Sequence, residues 1–143
     1  MTTGHVTDVN ETIVQEFRAN QGRVGGQFEG VPLIPIHHIG ARSGEERVTP
    51  LGCLPQPDGG LVIVASNGGA PKNPDWCRNL KAHSEIDVEF GADRFAVAVT
   101  ELEGAERANV WADAVAAHPD LDQFQRRTTR TIPVILLTRR SDA

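Results

Sequence analysis

A chain of 143 residues with 39% apolar content can fill one core but not two, so a single domain over residues 1–143 is expected. Its net charge of -5 excludes a general nucleic-acid binder, which needs a basic face, and any anion site must be local. Cys53 and Cys77 are too few for a disulfide framework and too far apart for a redox or zinc motif, which leaves free thiols in a reducing cytoplasm.

The N-terminus has acidic residues where a signal peptide would be basic, and no apolar run approaches the roughly 20 residues that span a bilayer. A soluble, cytoplasmic chain is expected. From Asp8 to Ala19, Val9, Ile13, Val14 and Phe17 recur at helical spacing behind Thr7 or Asp8 as a cap. That amphipathic helix either covers one side of a sheet or lies on a membrane surface or over a ligand. The stretch from Asn20 to Gly30, with Gly22, Gly25, Gly26 and Gly30, reads as a loop.

Strands are expected at Val31 to Ile39, Val48 to Leu54, Leu61 to Ser66, Ile86 to Phe90 and Phe95 to Leu102, with PQPDGG as a hairpin signal between the second and third. Ala108, Val110, Trp111, Ala114 and Val115 mark a helix that Pro119 ends, and Leu121, Phe124 and Gln125 mark a second short one. IPVILL, from Ile132 to Leu137, is a buried strand returning to the sheet. This order is not the strict alternation of a doubly wound sheet. It predicts a mainly β fold of the α+β class, a small, mostly antiparallel barrel with peripheral helices.

Two polar loops carry the chemistry. In GARSGEERVTP, Arg42 and Arg47 offer forked donors, and Ser43, Gly44 and the neighbouring amides can form a concave nest for a phosphate or carboxylate. The competing account is a solvated turn in which Glu45 and Glu46 pair with the arginines. The second loop, ASNGGAPKNPDW, adds Ser66, Asn67, glycine amides and Lys72 at the end of another strand. At one barrel end the two would make an anion cradle, beside which Trp76 is either a flat wall for a planar ligand or a core aromatic. Neither loop matches a P-loop or a dinucleotide fingerprint.

His37 and His38 are adjacent on a strand and point to opposite sides, and His5, His83 and His118 lack chelating spacing, so no metal is expected. His118, just before Pro119, either donates a proton or simply ends a helix. No Ser, His and Asp arrangement can be assembled, so any reaction would rest on a positioned cofactor.

Taken together, FRANQGRVGGQFEG, GARSGEERVTPLG, ASNGGAPKNPDWCRNLKAH and HPDLDQFQRRTTRTIPVILL resemble the deazaflavin-dependent nitroreductase family of actinobacteria, also called coenzyme F-420-dependent quinone reductases. The resemblance runs from Phe17 to Leu137, and its specificity lies in the order and spacing of the motifs. It implies a split β-barrel of the flavin-reductase-like type that binds 8-hydroxy-5-deazaflavin with its phosphodiester and glutamyl tail. By that likeness Ala41, Arg42, Ser43, Gly44 and Arg47 meet the phosphate and tail, with Lys72 as a further cation. Val48, Thr49 and Pro50 line the ring, Val64, Ala65, Ser66 and Asn67 face it, and Asp75, Trp76 and Asn79 lie beyond.

The implied reaction is hydride transfer to a quinone-like, nitro-aromatic or other conjugated small-molecule acceptor, with Ser66 as the polar assistant. Where the family's nitroreductases use tyrosines around the acceptor, this chain has Gly52, His118, Leu121 and Phe124, and it has no tyrosine at all. Asn67 stands where some relatives carry lysine, and His37, His38 and Ile39 replace a threonine-rich strand end. Two alternatives stay open: a non-catalytic carrier of a planar cofactor (deazaflavin, flavin or haem), and an FMN-dependent reductase. Peripheral membrane contact and oligomeric state are open as well.

Overall fold

The computed structural model describes residues 5–20, 32–57, 59–66 and 69–140. The expected glycine-rich loop from Asn20 to Gly30 lies, Asn20 apart, outside the described residues, and so does Asn67. Four helices and seven strands follow in the order α1 (His5–Ala19), β1 (Leu33–Ile39), β2 (Glu46–Gly52), β3 (Leu54–Pro55), β4 (Leu61–Val64), α2 (Asp75–Ala82), β5 (Glu85–Phe90), β6 (Asp93–Glu101), α3 (Gly104–Ala117), α4 (Asp120–Arg126) and β7 (Val134–Arg139).

All strand pairs are antiparallel, in the spatial order β2-β1-β5-β6-β7-β4-β3. The two outermost strands of this order, β2 and β3, are consecutive in the chain and separated by Cys53 alone. One continuous segment therefore runs from one sheet edge to the other, and the sheet must curl into a half-barrel to let it do so. The expected single strand from Val48 to Leu54 is in fact two, starting earlier at Glu46 and breaking at Cys53, whose amide bonds Pro32 O at 2.9 Å. The PQPDGG hairpin closes β3 onto β4, with Gln56 N bonded to Gly60 O at 2.7 Å and Gly59 at φ 95°.

The interior is filled by Ile34, Ile36, Ile63, Val88, Val97, Ile135 and Leu137, on which α2 lays Trp76, Cys77 and Leu80. Helix α2 did not register in the sequence, where the polar loop is read up to Trp76 and no element is assigned to the residues after it. It is short, and its apolar stripe is narrow, so the Gly, Pro and Asn content just before it dominates the local signal. On the opposite side of β1, α1 buries Val14 and Phe17, and Arg18 reaches across to Glu89. A second cluster of Val62, Leu102 and Val134 is covered by Val110 and Trp111 of α3. No helix among the described residues is long and apolar enough to cross a membrane.

Candidate functional site

Strand alternation sorts the residues of β1 and β2 before any ligand is considered. Pairing of Ile36 with Thr49 and of His38 with Arg47 puts Arg47, Thr49 and Leu51 on the side of Ile34, Ile36 and His38, which packs against α2. Val48, Pro50 and Gly52 face the other way, beside His37 and α1. One ligand can meet the side chains of only one of these sets.

On the α2 side a chain of hydrogen bonds joins the β1–β2 turn, α2 and both strands. Ala41 N donates to Asn79 Oδ1 at 2.9 Å, Asn79 Nδ2 lies 2.9 Å from His38 Nδ1, and His38 Nε2 lies 2.8 Å from Thr49 Oγ1. Asn79 and His38 are buried and Thr49 is half-buried. Burial, with smaller contributions from the nearby charges of Arg47 and His37, pushes the His38 pKa down to about 4. His38 is a neutral imidazole at physiological pH.

The turn itself is tight. Gly44 sits at φ 72°, its amide bonds Gly40 O at 2.9 Å, Gly40 N bonds Glu45 O at 2.9 Å, and Ser43 Oγ accepts from Glu45 N at 3.2 Å. A side chain at Gly40 would collide with Ser43 Oγ. The turn therefore holds Arg42 on the surface, with Arg47 exposed just beyond on β2. Among the described residues neither guanidinium has a carboxylate partner, and Glu46 turns instead to His37 Nδ1 at 3.1 Å. The solvated-turn account, in which Glu45 and Glu46 neutralise the arginines, is not what the turn does.

The second loop is held by a residue that the sequence did not single out. Arg130 donates from Nε to Ala70 O at 2.9 Å, from Nη1 to Asn73 Oδ1 at 2.7 Å and to Ala65 O at 3.3 Å, and from Nη2 to Ser66 O at 2.8 Å. One guanidinium thus ties Ala65, Ser66, Ala70 and Asn73 together. The signal was present as the last arginine of RRTTRT, where a basic run reads as solvated surface.

Gly69, at φ 84°, lies so close to α4 that a Cβ there would meet Phe124 O at 2.8 Å. That contact sets Gly69, whose amide bonds Ser66 O, against Phe124, which is half-buried; Leu121, on the same helix, is buried. His118 caps the end of α3, donating its amide to Ala114 O at 2.8 Å. Gly52 sits at the far end of β2, opposite Leu33.

Val64 ends β4 half-buried in the cluster under α3, whereas Ala65 is fully buried in the main interior with Ile63 and Trp76, so the two side chains serve opposite sides of the sheet and do not line one wall. Lys72 is exposed, and Trp76, at 9% exposure, belongs to the core under α2. Asp75 occupies the first turn of α2 and pairs with Arg78 at 3.6 Å. A carboxylate there takes the favourable end of the helix dipole, leaving anion binding to the arginines.

Behind β1 is a second polar knot. Arg18 Nε and Nη2 reach Glu89 Oε1 and Oε2 at 2.8 and 2.7 Å, and His37 Nε2 lies 2.7 Å from Glu89 Oε2. The Arg18 hydrogen bonds hold the Glu89 carboxyl down at about 2 despite its burial, with help from His37. The adjacent histidines thus serve opposite sides, His37 locking α1 and His38 joining the site.

The donor chemistry fits an anionic ligand. Among the described residues, two guanidiniums without carboxylate partners lie beside a fixed turn, and Thr49 shares the Arg47 side of β2.

Comparison with known proteins adds identity to geometry. The family described as F420H(2)-dependent quinone reductase matches residues 10–139. The F420H(2)-dependent quinone reductase Rv1261c of Mycobacterium tuberculosis is 34% identical over 128 residues, covering 87% of this chain and 85% of that protein. A solved structure titled F420-H2 Dependent Reductase (FDR-A) superposes with a TM-score of 0.67 at 37% identity, covering 74% of this chain and 93% of the other. Another, described as a domain-swapped dimer, gives a TM-score of 0.69 at 32% identity and covers 92% and 98%.

Proposed function

The chain belongs to the F420H(2)-dependent quinone reductase family, and from that premise we propose how its residues serve the reaction. It is a coenzyme F-420-dependent oxidoreductase acting on a small-molecule acceptor. When bound, the reduced deazaflavin supplies a hydride from C5 of its ring; binding, orientation and exclusion of water fall to the protein.

Arg42 and Arg47, with Lys72, bind the phosphodiester and acidic tail; the Ala41 and Gly44 amides are spent inside the turn, on Asn79 and Gly40, which leaves those of Arg42 and Ser43 for the same oxygens. Thr49, backed by the buried Ala65, holds the ring from one side, Val64 supports from the opposite side of the sheet, and Asn79 fixes the turn to α2. Val48 and Pro50 support from behind the strand. Ser66 hydrogen-bonds the acceptor oxygen on which charge develops during reduction. Leu121 and Phe124 border the acceptor, with His118 and Gly52 at its rim. An acceptor region without tyrosine hydroxyls favours an apolar conjugated ring, so a quinone is preferred over a nitro-aromatic. The whole chain acts as one domain and works in the cytoplasm.

The observation that carries this reading is the pair of arginines that have no carboxylate partner among the described residues, beside a tight turn, with Glu46 drawn away to His37. The test is steady-state oxidation of the reduced cofactor against a panel of quinones, enones and nitro-aromatics, run with wild type and Arg47→Ala. Quinone-dependent turnover is expected, and the variant should bind the cofactor more weakly by about 1.5 to 3 kcal/mol, the worth of one charged hydrogen bond. Tight binding with no acceptor-dependent rate would instead make the protein a carrier, and an unchanged dissociation constant would remove Arg47 from the site.

A further inference from the structure

The donors and acceptors around His38 leave only one consistent arrangement of hydrogens. The backbone nitrogen of Ala41 can only donate, so the Asn79 atom 2.9 Å away is the carbonyl oxygen. The other arm of that amide is therefore its NH2 group, which donates to His38 Nδ1 at 2.9 Å. Nδ1 carries no hydrogen, and in the neutral imidazole the single proton sits on Nε2, from which it is donated to Thr49 Oγ1 at 2.8 Å.

One lone pair of the Thr49 oxygen is thus used, and no other described group bonds to it. What remains is one lone pair and the hydroxyl hydrogen, and that hydrogen cannot go to His38, whose Nε2 already carries a proton. Donation runs in one direction, from the Ala41 amide through Asn79 and His38 to Thr49, with both middle members buried and the open end half-buried on the side of β2 that faces α2. A protonated His38 would set an N–H on Nδ1 against the Asn79 NH2 group, two donors facing each other, and the chain would break.

Resting on the cofactor assignment above, we propose that His38 is a positioning residue which, through Asn79, commits the Thr49 hydroxyl to donate a hydrogen bond to an acceptor atom of the bound cofactor ring. A threonine whose histidine partner had a bare Nε2 would spend its hydrogen on the imidazole. With the proton on Nε2, the Thr49 hydrogen is left for a ring that presents a carbonyl oxygen or a nitrogen lone pair, and such a ring is favoured. The same chain ties the orientation of the ring side to that of the Ala41 amide in the anion turn, so the two ends of the site are set together.

Two measurements test this. Nitrogen-edited NMR of the imidazole rings, without cofactor and at neutral pH, is expected to show His38 neutral with its proton on Nε2; the Nδ1–H tautomer or an imidazolium overturns the proposal. Fluorescence titration with coenzyme F-420 is expected to show that Thr49→Val raises Kd about five- to tenfold, the worth of one neutral hydrogen bond, whereas Thr49→Ser retains wild-type affinity. His38→Gln, which keeps a donor and an acceptor, should bind close to wild type, and a folded His38→Leu should lose as much as Thr49→Val, with no further loss in the double variant.

Wild type that binds while Thr49→Val binds equally well refutes the relay and leaves the cofactor assignment standing. Wild type that does not bind F-420 refutes the assignment, and with it the role given to the hydroxyl.

Discussion

Replacing Arg130 by alanine removes one guanidinium that bonds Ala65 O, Ser66 O, Ala70 O and Asn73 Oδ1, four acceptors spread along the loop that carries Ser66. Arg130 is half-buried, so water can replace part of each bond, and the low end of the hydrogen-bond range applies. At about 0.5 to 1 kcal/mol for each of the four, the loss is about 2 to 4 kcal/mol. That is a large share of a typical stability of roughly 5 to 15 kcal/mol, yet the core under α2 contributes nothing to it, so the variant should fold with a loosened loop.

Native-state hydrogen exchange localises the effect. The Gly69 amide, bonded to Ser66 O at 2.9 Å, should lose about a hundredfold in protection, the equivalent of about 3 kcal/mol, while the Val88 amide in the central strand changes only as global stability does. Arg130→Lys keeps the charge but not the fork, and should recover about half of the loss. An Arg130→Ala protein with an unchanged urea midpoint and an unchanged Gly69 exchange rate would refute the idea that this side chain holds the loop.

Glu89→Gln is expected to cost about 2 to 4 kcal/mol, below the full penalty of breaking a buried ion pair because Arg18 is half exposed, and to expose α1 to limited proteolysis; resistance equal to wild type would contradict the lock. Stability should also depend on pH through His38, whose folded value of about 4 lies below its ordinary 6.5. Above the unfolded value both states are neutral and this contribution is complete; as pH falls the unfolded state takes up a proton that the folded state refuses. About 2 kcal/mol should be lost between roughly pH 7 and pH 5, read as a fall in the urea midpoint that His38→Gln lacks. Glu89, held at about 2 against an ordinary 4.5, adds a second decline below about pH 4.5 that Glu89→Gln should abolish.

The strands were legible because apolar, β-branched runs such as LVIV and IPVILL are bounded by Gly, Pro and Asp, and PQPDGG marked one hairpin among them. The rest of the strand order and the closure were not, since closure depends on Cys53 letting one segment serve both edges of the sheet, a relation between strands at opposite ends of the sheet order. Helix α2 was hidden by the polar loop before it. In the site, the arginines and the serine announced themselves by residue type and motif, but their freedom from Glu46 depends on His37, two strands' worth of geometry away from the turn.

Arg130 and His38 were invisible for a related reason. Each works through partners distant in sequence, Arg130 through carbonyls about 60 residues upstream and His38 through an amide on α2, and residue type says little about either. His37 and His38, with no account from sequence, prove to be two separate structural devices placed on opposite sides of one strand.

The most direct test of the account is a calorimetric titration of the purified protein with coenzyme F-420 and, in parallel, with FMN. Saturable binding of the deazaflavin that FMN does not displace is the result expected if Arg42 and Arg47 bind a long acidic tail as proposed. Preference for FMN, or no binding of the deazaflavin, would contradict the account at its centre.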